Sequence, residues 1–499
     1  MTRSLSVLLV LAMASGVFAG VASLDPDLPT LSFAADGDEK ATVTDGTLQT
    51  FDGETIAFTV FRPAGVSAGA PVPLVLHSHG WGGSRATEIG GIVEDLLDAG
   101  YGVLSFDARG HGDSTGYATI HHKDFEVKDT LALIDWAYDN LAWAEKEGAA
   151  ADKDLVLGAV GGSYGGGYQL MAASYDDRLD AIAPQMTWND LRYSLAPGGV
   201  VKSTWVDALY GFGLQGVNMH PDIHEWFATA TATNQLPAAA LVHLKESSPV
   251  PENIGAATLL VQGLPDALFN WNEAVRNYQG ILAGGNTNVA VVGYLGGHVL
   301  PFPLQPVGAM GPARGGEPCG AYSDLALAWF DHHLRGNASA AVPTGVTYAL
   351  EEGGCVAAPS DDPAAVVDVA FPALPAPNSA GTILVPLDVP AGTIAGRARL
   401  QATFTGATET IFSAGLVVLN GDGRIHVVDD QAAFLRVTPA LGSVQTAIDL
   451  DMTGVATLLG ADDTLLLRID GLHEWAPTGA ARAPGGGLFL DVVVGLPYL

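Results

Sequence analysis

The sequence predicts an α/β fold with a mostly parallel sheet, followed by a second domain of β-strands alone. Short apolar runs alternate with helical periodicity up to about residue 340, and strands that are apolar throughout are typical of a parallel sheet covered on both faces. From Pro343 to Leu499 helical periodicity is nearly absent and turn residues recur about every ten positions, which indicates a β-sandwich. The length of 499 residues, about three times a typical domain, accommodates both parts.

The composition excludes several classes of protein. There are 54 acidic and 22 basic side chains, which gives a formal net charge of −32, and such a field repels nucleic acids and anionic membrane surfaces. Hydrophobic residues make up 48% of the chain and charged residues only 15%, so the chain is not intrinsically disordered. The sequence leaves the oligomeric state open.

The first residues have the pattern of a secretory signal peptide. Arg3 precedes an apolar run from Leu5 to Ala14, and Val17-Phe18-Ala19 forms a small-x-small cleavage site, so we expect residues 1–19 to be removed on export. The alternative is a membrane anchor, which needs about 20 apolar residues. We expect residues 20–47 to be a polar leader and the mature chain to be secreted, with no membrane attachment.

A β-hairpin with an Asp52-Gly53 turn opens the first domain, which we expect to span residues 48–340. Further strands are predicted at 73–77, 103–106, 155–160, 181–187, 258–262 and 288–292. Helices are predicted at 89–97, 125–143, 168–173 and 323–334. Residues 189–251 are aromatic, Gly-rich and partly helical. Because this insertion follows a sheet strand, we expect it to form a cap over the carboxyl edge of the sheet.

The strongest local motif is the segment 161–165, Gly161-Gly162-Ser163-Tyr164-Gly165, which matches G-x-S-x-G. It lies between a predicted strand and a predicted helix, the context in which this motif presents a nucleophilic serine. The glycines allow a sharp turn, and the helix N-terminus adds positive potential. The alternative is a glycine turn with a serine that takes no part in chemistry.

A nucleophilic serine needs a base, and the base needs an orienting acid. In this architecture the chain order is serine, acid, histidine. Asp266 and His298 follow the predicted strands 258–262 and 288–292, at the sheet edge where catalytic groups gather. Asp190, after the strand 181–187, is the rival acid.

A glycine-rich turn after the strand 73–77 predicts an oxyanion hole. In the segment His79-Gly80-Trp81-Gly82-Gly83 backbone N–H groups are free of bulky neighbours. We therefore expect the backbone N–H groups of Trp81 and of Tyr164 to be the donors. His79 is expected to shape the turn rather than to act as a second base.

The cap supplies aromatic walls for a substrate pocket. We expect the substrate to contact Trp205, Tyr210, Phe212, Trp226 and Phe227, and such walls suit an acyl or aromatic ester and a proline ring equally well. Recognition of a free amino terminus would need a carboxylate aimed into the pocket, for which the cap offers Asp207, Asp222 and Glu225.

The chain contains two cysteines, Cys319 and Cys355. In an oxidising compartment an even pair favours a disulfide, and two buried free thiols are the alternative. No Cys/His cluster has zinc spacing, so we expect no metal, and no motif indicates a cofactor.

Taken together, these motifs resemble the Xaa-Pro dipeptidyl-peptidase and cocaine-esterase-like serine hydrolases. The resemblance rests on residues 161–166 (GGSYGG), 107–116 (DARGHGDSTG), 329–336 (WFDHHLRG), 394–396 (IAG) and 420–423 (NGDG). It implies an α/β-hydrolase core with a helical cap and a C-terminal jelly-roll domain, here residues 343–499, and Ser163, Asp266 and His298 match the family's triad positions. Family members often place a tyrosine hydroxyl in the oxyanion hole, where this chain has Trp81.

From these residues we expect a secreted serine hydrolase that cleaves small acyl esters through an acyl-enzyme intermediate. Two alternatives stay open. One is an Xaa-Pro dipeptidyl-peptidase that releases N-terminal dipeptides from peptide substrates. The other is a surface-binding protein without catalytic activity.

Overall fold

The computed structural model describes residues 41–298, 316–361, 365–377, 381–406, 409–440, 444–471 and 487–499. The predicted signal peptide and the leader up to residue 40 lie outside these ranges. Among the described residues, no helix has the length and apolar character that crossing a membrane requires.

A ten-stranded mixed sheet forms the first part of the chain. Its strands are β1 (Thr42–Gln49), β2 (Thr55–Arg62), β3 (Leu74–Ser78), β4 (Gly102–Phe106), β7 (Leu157–Gly162), β8 (Ala181–Gln185), β9 (Ala257–Gly263), β10 (Val289–Tyr294), β11 (Gly345–Ala349) and β12 (Cys355–Ala358). Their spatial order is β1-β2-β4-β3-β7-β8-β9-β10-β11-β12. The strands from β4 to β11 run parallel, whereas β1, β2 and β12 pair with their neighbours antiparallel. Two short strands, β5 (Lys146–Glu147) and β6 (Asp154–Leu155), pair separately.

Nine α-helices are present in the described ranges. They are α1 (Ile92–Asp98), α2 (Glu126–Asn140), α3 (Tyr164–Tyr175), α4 (Leu191–Leu195), α5 (Ser203–Gly216), α6 (Pro221–Thr233), α7 (Ala238–Glu246), α8 (Trp271–Ala283) and α9 (Tyr322–His333). Helices α4 to α7 follow β8 and form the predicted cap, with 3₁₀ turns at Pro197–Gly199 and Pro251–Asn253.

Apolar residues cover both faces of the sheet. In β9, Leu260 packs into one buried cluster while Leu259 and Val261 pack into the other. Strand β10 divides in the same way, with Val291 on the first face and Val292 on the second. This alternation explains why the strands are apolar throughout, as the sequence predicted.

The C-terminal part consists of two antiparallel sheets. One contains β13 (Ala365–Pro375), β21 (Leu488–Tyr498), β15 (Gly392–Thr405) and β19 (Gln445–Leu459). The other contains β14 (Thr382–Pro386), β20 (Thr464–Asp470), β16 (Thr410–Leu419), β17 (Ile425–Val427) and β18 (Ala433–Val437). Side chains from both sheets share one buried cluster, so the two sheets form a sandwich. Its jelly-roll topology stays a prediction.

Two differences from the predicted boundaries have a clear physical cause. Strand β1 begins at Thr42, inside the expected leader, because it pairs with β2 along its whole length. Strands β11 and β12, which lie beyond Pro343, extend the ten-stranded sheet instead of the sandwich, because β11 adds to β10 in parallel. The change of architecture therefore falls between Ala358 and Ala365.

A disulfide joins Cys319, just before α9, to Cys355 at the start of β12, with Cα atoms 5.3 Å apart. Of the two possibilities that the sequence left open, the structure has the bonded pair. The bridge ties the last helix of the first part to the edge of its sheet, and it closes a loop of 36 residues.

Candidate active site

Ser163 lies between β7 and α3 with φ 58° and ψ −119°, a backbone conformation that costs free energy in a residue with a side chain. The two flanking glycines make this turn possible. A Cβ atom at Gly161 would lie 2.5 Å from the carbonyl oxygen of Gly165 and 2.8 Å from that of Ser78, and a Cβ at Gly165 would overlap the Ser78 oxygen. The G-x-S-x-G spacing is therefore a steric requirement of the turn.

Ser163, His298 and Asp266 form a continuous chain of hydrogen-bonding contacts. His298 Nε2 lies 2.8 Å from Ser163 Oγ, and His298 Nδ1 lies 2.7 Å from Asp266 Oδ2. The same carboxylate oxygen accepts the backbone N–H of His298 at 3.0 Å. Because a carboxylate only accepts, it selects the tautomer with hydrogen on Nδ1, which leaves the Nε2 lone pair facing the serine hydroxyl.

The rival acid lies elsewhere. Asp190 caps α4, where its carboxylate accepts the backbone N–H and the guanidinium of Arg192. In the part of the chain that the structure describes, the acidic partner of His298 is Asp266.

The loop that carries Asp266 is held from two other parts of the chain. Asp266 is fully buried, and its Oδ1 accepts the N–H groups of Leu268 and Phe269 at 2.9 and 2.8 Å. From the cap, Lys202 Nζ donates to the carbonyl oxygens of Ala267 and Leu268, both at 2.9 Å. Burial lowers the pKa of Lys202 to about 8.

From the C-terminal sandwich, Gln431 reaches the same loop. Its Nε2 donates to the carbonyl oxygens of Leu264 at 2.9 Å and of Asp266 at 3.1 Å. Gln431 is buried, so these bonds are shielded from water. The position of Asp266 therefore depends on residues from all three parts of the structure.

The two backbone N–H groups that the sequence predicts as oxyanion-hole donors, those of Trp81 and Tyr164, have no acceptor among the described residues. The turn lies beside the nucleophile, since a Cβ at Gly80 would be in van der Waals contact with Ser163 Cβ at 3.9 Å. The Trp81 indole N–H donates instead to Leu209 O at 2.9 Å, so only the backbone of Trp81 is available for this role.

His79 has the positional role that the sequence predicted. Its Nδ1 bonds to the Gly80 carbonyl oxygen at 2.8 Å, and its Nε2 accepts the Ala108 N–H at 3.1 Å. Both ring nitrogens are thus engaged with backbone groups of the turn. Burial also lowers the pKa of His79.

A strained loop supports the residue after the nucleophile. Ile120 and His121 have φ values of 62° and 53°, and His121 Nε2 donates to the carbonyl oxygen of Tyr164 at 2.8 Å. The carboxylate of Glu126 holds this loop by accepting the backbone N–H and the hydroxyl of Thr119. Burial raises the pKa of Glu126 to about 7 and lowers that of His121 to about 3.

Above Ser163 lies a cavity of about 130 Å³. Its walls come from cap helices α4 to α7 and from the loops around Trp81, Ile120, Trp188 and Phe269. Tyr210, Trp226 and Phe227, which the sequence predicted as contacts, line it. Among the described residues, its lining contains no Asp, Glu, Lys or Arg.

The structure places two of the predicted contacts outside this lining. Phe212 is 44% exposed. Val206, Leu209 and Tyr210 form the cavity-lining face of α5, and at 3.6 residues per turn Phe212 lies on the flank of that face, beyond Leu209. Trp205 is buried, with its ring edge-on to that of His298 at 6.1 Å between centroids. Trp205 therefore packs beside the histidine ring and does not line the cavity.

The cap carboxylates that could recognise an ammonium group also lie outside the lining. Asp207, Asp222 and Glu225 are exposed residues of α5 and α6, and none of them is among the described lining residues.

Sequence reasoning missed the residues that position the loop carrying Asp266, here called the acid loop. It also missed some of the residues that line the cavity. Lys202 and Gln431 reach the loop across 65 and 165 residues of chain, and no local pattern marks such contacts. Trp188 and Phe269 flank predicted elements and could have been found only by asking which apolar residues follow the strand ends.

Comparison with known proteins places this site in a family. Residues 52–298 match the model of the X-Pro dipeptidyl-peptidase (S15 family), about half of the chain. A protein of Mycobacterium bovis whose name suggests a serine esterase is 22% identical over 357 residues, which cover 57% of this chain and 55% of that protein. The chain spans about half the length of the curated relatives it matches.

Two solved structures share the fold over nearly the whole chain. A CocE/NonD family hydrolase from Staphylococcus aureus is 15% identical, with a TM-score of 0.66, and the match covers 95% of this chain and 99% of that one. An aminopeptidase from a marine sediment archaeon, Thaumarchaeota archaeon, is 13% identical, with a TM-score of 0.65 and the same coverage. These likenesses confirm the predicted α/β-hydrolase core followed by a β domain.

Substitutions in the hydrogen-bonded chain test the assignment of nucleophile and acid. We expect Ser163→Ala to lower kcat for an ester by roughly 10⁴-fold or more with an unchanged Tm, because only the nucleophile is lost. Asp266→Asn should cost less than Ser163→Ala but far more than Asp190→Asn, the matched control. Steady-state kinetics on the three variants decide, and a larger loss in Asp190→Asn than in Asp266→Asn would contradict the choice of acid.

Gln431 offers a test of whether the sandwich positions the acid loop. Gln431→Ala should lower kcat about 10- to 100-fold with little change in KM, because displacement of Asp266 misaligns His298 without altering the cavity. Gln401→Ala is the matched control, since Gln401 is exposed on β15 of the same part. If both variants keep the wild-type kcat, the loop does not depend on Gln431.

Proposed function

The chain belongs to the X-Pro dipeptidyl-peptidase (S15) family, and we propose that it is a serine hydrolase that cleaves ester bonds of small apolar acyl substrates. Ser163 would be the nucleophile, His298 the general base and Asp266 the orienting acid. The observation that carries this proposal is the hydrogen-bonded chain Asp266–His298–Ser163, which ends at an apolar cavity.

The geometry supports a two-step acyl transfer. His298 Nε2 takes the proton of Ser163 as Oγ attacks the carbonyl carbon, and the N–H groups of Trp81 and Tyr164 stabilise the resulting oxyanion. The imidazolium then protonates the leaving alkoxide, and the alcohol departs. Water, deprotonated by the same nitrogen, attacks the acyl-enzyme and releases the acid. Asp266 stays ionised and stabilises the imidazolium.

The character of the cavity favours esters. Peptide cleavage requires His298 to protonate a departing amine, which demands tighter positioning of the substrate. An Xaa-Pro dipeptidyl-peptidase must also hold the free ammonium group of its substrate. The described lining of the cavity offers no carboxylate for that purpose, so an uncharged acyl group fits it better.

A dipeptidyl-peptidase is the second candidate, and the family match over residues 52–298 favours it. The third candidate, a binding protein without activity, leaves the strained turn at Ser163 and its contact with His298 unexplained.

We also propose that the protein is exported. The signal-peptide pattern in residues 1–19 supports this, and so does the Cys319–Cys355 disulfide, because disulfides persist mainly in oxidising compartments.

The choice between ester and amide is tested by kcat/KM on two substrates. We expect hydrolysis of short-chain p-nitrophenyl esters to be much faster than that of Xaa-Pro chromogenic amides, since nothing in the described cavity holds an ammonium group. Ser163→Ala serves as the inactive control for both. An amide rate equal to the ester rate, lost when the amine of the substrate is acetylated, would establish the peptidase instead.

Two aromatic residues of the cap test whether the cavity binds the acyl group. Trp226 lines the cavity, whereas Phe212 is exposed. Trp226→Ala should lower kcat/KM for longer acyl chains by about tenfold or more and alter the chain-length preference, because apolar contacts are lost. Phe212→Ala should leave the chain-length profile as in the wild type. Equal profiles for all three proteins would show that the acyl group binds elsewhere.

A further inference from the structure

Outside the active site, three side chains with metal-binding atoms converge where the two parts of the chain meet. Glu351 and Glu352 form the turn between β11 and β12 of the ten-stranded sheet, and His426 lies in β17 of the sandwich. One potential ligand atom from each of the three lies within 4.8 Å of the other two. We call these three residues the junction cluster.

The two carboxylates of the junction cluster are held in place by the sandwich. Glu351 Oε1 accepts the N–H of Asp429 at 2.9 Å. Glu352 accepts the hydroxyl of Thr457 at 2.7 Å and the N–H of Leu458 at 3.1 Å. Because each carboxylate oxygen has a second lone pair, these bonds orient the two groups and leave each of them able to bind a further partner.

The contact between Glu351 and His426 has the geometry of two ligands. Glu351 Oε2 lies 3.1 Å from His426 Nε2, within ion-pair distance. Two ligands that each lie about 2.1 Å from a tetrahedral ion are separated by about 3.4 Å. The pair is thus spaced as ligands of one ion would be.

A neighbouring carboxylate adds a second, independent observation. Asp429 is 1% exposed, its Oδ2 accepts the N–H of Ala456, and its Oδ1 has no partner in the described part of the chain. Its backbone N–H bonds to Glu351, so it borders the junction cluster. Asp429 therefore places a buried carboxylate oxygen without a hydrogen-bond partner, among the described residues, beside the junction cluster.

We propose that Glu351, Glu352 and His426 bind one divalent cation of the zinc type, with Asp429 as an adjacent negative charge. Carboxylate oxygens together with an imidazole nitrogen suit Zn²⁺ better than Ca²⁺ or Mg²⁺, which prefer oxygen ligands alone. The ion would join the β11–β12 turn to β17 and so stabilise the folded chain against unfolding.

Metal binding to the untagged full chain tests the proposal. After removal of metal with a chelator, equilibrium dialysis against Zn²⁺ should load one equivalent and raise Tm by several degrees. Glu352→Gln and His426→Asn should each abolish both effects. His220→Asn is the matched control, because His220 also lies beside a carboxylate, Asp222, but on the exposed surface of the cap.

Three outcomes would overturn the proposal. They are no stoichiometric Zn²⁺ binding by the wild type, equal binding by both variants, and binding of Ca²⁺ in preference to Zn²⁺. If His426→Asn fails to fold, Glu352→Gln still decides, because Glu352 is exposed and its substitution conserves shape. Ester hydrolysis plays no part in these measurements, so they are independent of the proposed function.

Discussion

A fully buried carboxylate at Asp266 is the constraint around which the site is organised. A buried charge is tolerated only when it is well hydrogen-bonded, and Asp266 accepts the His298 side chain together with three backbone N–H groups. These bonds define the conformation of residues 266–269 as well as the orientation of the imidazole. The same hydrogen bonds to Asp266 therefore fold this loop and orient the His298 ring.

That loop is also where the three parts of the molecule meet. Lys202 belongs to the cap and Gln431 to the sandwich, and both donate to carbonyl oxygens of the loop. Ile411 and Phe434 of the sandwich pack into the same apolar cluster as Trp205 and Leu268. The sandwich is thus part of the environment of the site, and the cap is bounded by it on one side.

The sequence predicted the parts of the site that depend on local geometry. Ser163, Asp266 and His298 could be found because a glycine turn and the ends of sheet strands leave a recognisable pattern. Helix α8 could also have been predicted, because its apolar residues recur at helical spacing, and the structure buries them. These residues are Trp271, Val275, Tyr278 and Ile281.

What could not be predicted arises from contacts between distant segments. Lys202 and Gln431 act through side chains that meet the acid loop only in the folded chain. The orientation of Phe212 depends on how far the apolar face of α5 is turned toward the cavity, and the sequence alone does not give that angle. Strands β11 and β12 belong to the ten-stranded sheet because β11 pairs with β10, which lies about 50 residues earlier in the chain.

The uncharged lining of the cavity bears on how a catalytic cycle would end. Hydrolysis of an ester converts a neutral ligand into an anion, and the described lining holds no cation to pair with it. An anion in an apolar cavity lacks the solvation it has in water. The chain's net charge of −32 also repels the anion and so opposes its rebinding from solution. The carboxylate product should therefore bind in the cavity more weakly than the uncharged ester substrate. Accumulated product should accordingly cause little inhibition.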